Sequence, residues 1–179
     1  MAKQVSTTYG DALFELAMEE NQIDAYFEEA QAVLQIFKEN EELAKLLHHP
    51  KVLKEEKIAF IEKVFKGQLS EALLGFLVII IKKDRQGEIE SIFQYFIKQV
   101  KEYKQIGVAY VTTATPISEA QKAQVEAKLL ATTNYKTIEA NYEVDAALIG
   151  GMVIRIEDRV VDSSIRTKLL NMRQTLLKA

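Results

Sequence analysis

The chain has 179 residues, 48% of them hydrophobic and 27% charged, with a formal net charge of −3 and no cysteine. That apolar content supports a packed core and excludes a disordered chain, and the small net charge gives no general attraction to nucleic acid. Without cysteine there are no disulfides, thiolate metal sites or cysteine nucleophiles.

Two prolines and seven glycines imply long regular elements joined by short connections. The first residues, Met1 to Ser6, lack the apolar segment of a secretory signal. The longest apolar run, Ala72 to Ile81, is ten residues, and a bilayer needs about 20. No membrane span is expected.

In chain order, the spacing predicts six helices over about 4–20, 22–38, 40–48, 53–65, 70–83 and 88–105. In the second helix Ile23, Tyr26, Phe27, Ala30, Val33, Leu34 and Phe37 recur at spacings of three and four, an amphipathic stripe. Ile58, Ile61, Val64 and Phe65 repeat the pattern in the fourth, and Ile89, Ile92, Phe93, Phe96, Val100 and Tyr103 in the sixth. Pro50, Gly67 and Gly87 punctuate the series, and both glycines stand where a C-terminal cap is expected.

Two of these helices carry more apolar surface than one core requires. On the first, Val5, Tyr9, Ala12 and Leu16 form a stripe, with Phe14 and Met18 nearly opposite. The fifth is apolar all round from Ala72 to Ile81. Such a helix must be covered on every side, so it is either the hub of the bundle or half of a groove that accepts a partner's amphipathic helix.

Beyond about residue 106 the pattern changes, and a boundary is expected there. Gly107 to Thr115 is rich in the valine, tyrosine and threonine that suit a strand. Ser118 and Gln121 have capping-box spacing for a helix running to about Ala131. Lys136 to Val144 reads as a second strand, and Met152 to Val161 supplies a third and a short fourth. Ile165, Leu169, Met172 and Leu176 give a last helix one apolar face. The fold class is mainly α: a six-helix bundle over 1–105 and a smaller α+β domain over 106–179, with a short sheet and a terminal helix.

Candidate chemistry is sparse. His48 and His49 are the only histidines and have no other soft ligand nearby, so they read as a polar helix end before Pro50. There is no Gly-x-Ser-x-Gly elbow for a serine nucleophile. Gly150-Gly151 lacks the Lys-Ser/Thr ending of a phosphate loop and leads into a strand. From Ser163 onward there are four basic residues and no acidic one. That basic helix could meet an acidic partner or an anionic surface, or be a solvated face whose charges match the helix dipole.

Several stretches together resemble the delta subunit family of bacterial F-type ATP synthase, the counterpart of the mitochondrial oligomycin-sensitivity-conferring subunit. Tyr9-Gly10-Asp11-Ala12-Leu13-Phe14-Glu15-Leu16-Ala17 is similar to the family's opening helix. His49-Pro50 with Glu55-Glu56-Lys57 resembles its mid-domain segment, and Val111 to Ser118 the entry to its second domain. The most specific match is Val144-Asp145, Leu148-Ile149-Gly150-Gly151, Val153-Ile154-Arg155-Ile156 and Val161-Asp162-Ser163-Ser164 before a basic helix. The family often has glycine where this chain has Glu157 and Ser163. An altered turn at Glu157-Asp158 is therefore expected, with Asp158 in the left-handed conformation and Asp162 or Ser163 opening the last helix.

The resemblance implies a non-catalytic stator subunit without a cofactor, metal or active site, present once per complex and not as a homo-oligomer. The helical domain would bind the N-terminal helix of an alpha subunit of the catalytic head through Tyr9, Ala12, Leu13, Leu16, Phe76, Ile79, Ile80 and Lys83. The second domain would bind the b subunits of the peripheral stalk, with Arg166, Leu169, Arg173 and Leu176 as candidates. Peripheral attachment at the cytoplasmic face of the bacterial membrane, through the complex alone, goes with that role. The residues by themselves leave two alternatives: a helical adaptor on anionic membrane surfaces, and a small nucleotide-binding enzyme using Gly150-Gly151.

Overall fold

A computed structural model describes residues 2–49, 52–67 and 69–178; Pro50, one of the expected punctuation points, lies outside them. The helices are α1 (Ala2–Glu19), α2 (Ile23–Glu39), α3 (Glu41–His48), α4 (Lys54–Phe65), α5 (Glu71–Lys82) and α6 (Ile89–Lys104). There follow β1 (Ile106–Thr113), α7 (Glu119–Thr132), β2 (Thr137–Val144), β3 (Met152–Ile156), β4 (Arg159–Asp162) and α8 (Ile165–Lys178). The chain forms two compact units, Met1–Val100 and Lys101–Ala179. They divide inside α6, a little before the boundary near 106 that the sequence suggests.

The first unit is built on buried helical stripes. α2 buries Tyr26, Ala30, Val33 and Phe37, and α6 buries Ile89, Ile92, Phe93, Phe96 and Val100. Tyr103, expected to continue the α6 stripe, is exposed. On α1, where the stripe of Val5, Tyr9, Ala12 and Leu16 left the core face open, the buried line is Ser6, Gly10, Leu13 and Ala17. Small residues there let the helix backbone approach its neighbours, and Tyr9 and Leu16 flank the line, half-buried. Phe37 stacks on Phe65 with centroids 6.5 Å apart, joining α2 to α4.

Helix ends are closed by local chemistry. Ser70 Oγ accepts from Leu73 N at the start of α5, while Glu29 Oε2 accepts from both Ser70 N (3.1 Å) and Ser70 Oγ (2.7 Å). A carboxylate from α2 thus meets the positive end of α5. At the other end Asp84 has φ +57 and takes the left-handed cap position. Arg85 N donates to the Ile80 carbonyl and Asp84 N to that of Ile81, a Schellman pair. Gly87, expected to be the cap, lies inside a 3₁₀ turn over Gln86–Glu88 instead; Asp84, which tolerates positive φ, has already stopped the helix. Gly67, at φ +80 after α4, does have the left-handed conformation.

The second unit is a sheet in the order β2-β1-β3-β4. β1 and β2 are parallel and joined through α7, while β1–β3 and β3–β4 are antiparallel. Ala109, Val111 and Val125 form its core with Leu129, Ile138, Tyr142, Met152, Ile154 and Ile156 packed around them. The capping box is formed: Ser118 Oγ accepts from Gln121 N and Gln121 Oε1 accepts from Ser118 N at 2.9 Å. Tyr142 Oη donates towards Glu126 Oε1 and the Lys122 carbonyl, tying β2 to α7. Burial and the neighbouring Glu126 push its hydroxyl up to about 12.

Candidate partner-docking surfaces

Gly150-Gly151, the candidate phosphate loop, packs against the approach to α8. Gly151 has φ +77, and a Cβ there would stand 2.5 Å from the Ser163 carbonyl oxygen. A Cβ on Gly150 would stand 2.6 Å from Ile165 Cδ1. Ser163 N donates to the Met152 carbonyl and Ile165 N to that of Gly150. The chain's own approach to α8 fills the space beside both glycines, so they serve close packing of β3 against that segment.

The hairpin turn differs from expectation. Glu157, not Asp158, has positive φ, at +49. Glu157 Oε1 accepts from Tyr135 Oη at 2.5 Å, and this bond, ahead of burial, raises the Tyr135 pKa. Tyr135 in turn lies against Gly107, where a Cβ would come within 2.5 Å of its ring. The Glu157 carboxylate anchors a tyrosine across the sheet end, which offsets the backbone cost of a non-glycine residue in that conformation.

On the first unit, α1 and α5 meet through aromatic edges. The Tyr9 and Phe76 rings are 6.2 Å apart at 64°, and Phe76 and Phe93 are 6.2 Å apart at 86°. α5 buries Leu73, Leu77, Ile80 and Ile81. Its other side is uncovered: Ile79 is 51% exposed, Lys83 is exposed, and a Cβ on Gly75 would meet nothing within 4 Å. On α1, Ala12 is exposed beside half-buried Tyr9 and Leu16.

Six of the eight residues nominated for this surface therefore retain accessible area: Tyr9, Ala12, Leu16, Phe76, Ile79 and Lys83. The other two are corrected. Leu13 and Ile80 are 0% exposed and support the surface from beneath, because each falls on the core-facing line of its helix. Gly75 was missed; a glycine in the middle of an apolar helical run was the available signal.

α8 is largely uncovered. Ile165, Leu169, Met172 and Leu176 are all exposed, Leu176 by 79%, as are Arg166 and Arg173. Its first turn is nevertheless well fixed. Asp162 Oδ1 accepts from Ser164 N at 2.8 Å, Asp162 Oδ2 from Thr167 Oγ1 at 2.7 Å, and Ser164 Oγ from Thr167 N at 3.2 Å. These bonds, that from Ser164 N foremost, hold the Asp162 carboxyl below its ordinary value. The cap is thus Ser164, one or two residues later than expected, with Asp162 as its brace. Apart from these surfaces, a cavity of about 740 Å³ is lined by Leu129, Tyr135, Ile154, Ile156, Glu157 and Val161 among others.

Among the described residues no group of three histidines, cysteines or carboxylates could hold a metal ion. None of the helices so described is long and apolar enough to cross a membrane.

The chain is similar to known proteins along nearly its whole length. The family whose description is ATP synthase delta (OSCP) subunit matches residues 5–176. ATP synthase subunit delta of Lachnoclostridium phytofermentans is 57% identical over 178 residues, covering 99% of this chain and 98% of that one. The Desulfitobacterium hafniense subunit delta (strain DSM 10664 / DCB-2) is 36% identical over 175 residues, covering 98% and 97%. A chain in the structure of the Toxoplasma gondii mitochondrial ATP synthase hexamer shares the fold, with a TM-score of 0.73 at 17% identity over 96% of this chain and 97% of that one. This chain belongs to the ATP synthase delta (OSCP) subunit family, and its role is that of a non-catalytic peripheral-stalk subunit of the F-type ATP synthase.

Proposed function

We propose that the chain is a two-ended clamp. The first unit takes the N-terminal helix of an alpha subunit on the α1–α5 surface, and the second takes the b subunits through α8. Held this way at the cytoplasmic face of the bacterial membrane, the catalytic head cannot turn with the rotor, and torque goes into nucleotide chemistry. The observation that carries the reading is Ile79: a β-branched aliphatic half exposed on α5, one turn from open Gly75, on a helix that meets α1 through Tyr9 and Phe76. A helix laid over roughly 600 Å² of apolar area gains on the order of 15 kcal/mol gross at about 25 cal/mol/Å². Association takes back at least about 4 kcal/mol, which leaves at most about −11 kcal/mol, an affinity on the order of 10 nM. A binding role under load needs that affinity and no active site.

The test is co-purification of the full chain with the catalytic head and with b, separately and together. Ile79→Asp should abolish capture of the head and spare b; Leu169→Asp should do the reverse. Loss of both partners in either folded variant, or of neither, would refute the division of labour.

A further inference from the structure

We infer that α8 is one strand of a two-stranded coiled coil whose other strand is an acidic amphipathic helix. The inference rests on the reading of α8 as the stalk-facing element and adds the chemistry of what it accepts. Ile165, Leu169, Met172 and Leu176 follow one another at spacings of four, three and four. At 100° per residue they fall within roughly 60° of the helix circumference, the narrow stripe of a coiled-coil seam and not the broad face of a core helix. With Leu169 and Leu176 at a, Ile165 and Met172 take d. All four are exposed, from 42% at Ile165, whose Cδ1 packs beside Gly150, to 79% at Leu176, so the seam is open and becomes more so along the helix. Leu170 and Leu177 lie beyond Arg166 and Arg173 and are outside it.

The flanks select the occupant. Arg166 and Arg173 occupy both e positions and Lys168 the first g, with Thr175 at the second. No acidic residue occurs from Ser163 onward. In a parallel pair of α8 helices Lys168 would face Arg173 of the other copy, and in an antiparallel pair e would face e and g would face g. Both arrangements bring like charges together, so a second copy of this chain is rejected. A helix with apolar a and d positions and Glu or Asp at e and g is accepted. Two heptads of seam over 14 residues make a modest site whose selectivity resides in its charges.

The test uses the full chain and two three-heptad peptides with leucine at a and d, one carrying glutamate at every e and g and the other lysine. The acidic peptide should bind in low salt, weaken as salt is added, and exceed the lysine peptide by about tenfold or more. The triple reversal Arg166→Glu, Lys168→Glu, Arg173→Glu should exchange that order, a gain of binding that misfolding cannot mimic. Equal binding of both peptides, binding of neither, or sedimentation as a homodimer that Leu169→Asp dissolves would overturn the inference. So would association with phosphatidylserine-containing vesicles in place of the acidic peptide. Capture of b, measured in parallel, separates the two levels. Retained b without peptide preference defeats only the charge-selected coiled coil; peptide preference without b defeats the stalk reading.

Discussion

Tyr95 lies across the backbone of Gly10, so that a Cβ on Gly10 would stand 2.4 Å from Tyr95 Cδ1. The same tyrosine donates to Asp11 Oδ1 at 3.1 Å, and Gln99 Nε2 donates to that oxygen at 2.6 Å. The pair sets how closely α1 approaches α6. Gly10→Ala should destabilise the protein by about 1–3 kcal/mol through overpacking, less up to about 1 kcal/mol of helix propensity gained. In a Tyr95→Ala background the clash is gone, and the same substitution should become neutral or stabilising. Urea unfolding of the four proteins checks this; an equal effect of Gly10→Ala in both backgrounds would refute the contact.

The two faces of α1 should separate stability from binding. Ala12 is exposed while Leu13 is wholly buried. Ala12→Asp should leave stability within about 0.5 kcal/mol and weaken binding of an alpha-subunit N-terminal peptide by tenfold or more. Leu13→Ala should cost about 2–5 kcal/mol, with the peptide affinity of the folded fraction little changed. Calorimetry and thermal melts on the same samples decide between them, and the opposite pattern would mean that the faces are misassigned.

How far the sequence reveals this molecule depends on which physical signal each part carries. Periodicity located all six helices of the first unit, because a helix that buries Tyr26, Ala30, Val33 and Phe37 must space them so. It could not pick out the buried face of α1, because the buried line there includes Ser6, Gly10 and Ala17, residues that hydrophobicity ranks low but close packing requires. It could not separate Ile79 from Ile80 on a helix apolar all round; only neighbouring helices decide which is covered. The cap at Asp84 and the turn at Glu157 were read as glycine or aspartate positions by backbone preference. At Glu157 a tertiary bond to Tyr135, distant in sequence, outweighed that preference.

Glu157→Gly should have a small net effect on stability. It relieves a positive φ, worth about 1 kcal/mol, and removes the Tyr135 hydrogen bond, worth a similar amount. Its clear signature is on Tyr135, whose raised pKa has the Glu157 bond as its first cause. The tyrosine should titrate closer to its ordinary value of 10.0 in the variant, read by NMR. An unchanged titration would exclude the bond in solution.

Tyr26 should make stability fall in alkali. Burial, then the bond from its hydroxyl to Glu20 Oε2, pushes its pKa from 10.0 up to about 12. The folded protein holds this proton more tightly than the unfolded chain, so the contribution is intact below pH 10 and is lost as pH rises to about 12. Tyr26→Phe should flatten that part of the profile and lower stability by about 1 kcal/mol at neutral pH. Urea midpoints measured across the range test it; a parallel fall in the variant would assign the loss elsewhere.

Asp162 should govern the opposite end of the scale, and locally. Its folded pKa lies below the ordinary 3.8 because Ser164 N, then Thr167 Oγ1, donate to the carboxylate. The unfolded chain therefore takes up the proton first as pH falls. The contribution to α8 is present above pH 3.8 and disappears as pH drops through the depressed value. Asp162→Asn keeps an oxygen for Ser164 N but cannot titrate, so protection of the first-turn amides of α8 should lose its acid dependence while partly surviving at neutral pH. Asp162→Ala should lose both, and with them the fixed launch angle from which the seam of Ile165, Leu169, Met172 and Leu176 is presented. Hydrogen exchange at Ser164 and Thr167, measured with binding of the acidic peptide, connects the cap to the surface. If protection at these amides is independent of pH in the parent chain, the brace does not operate.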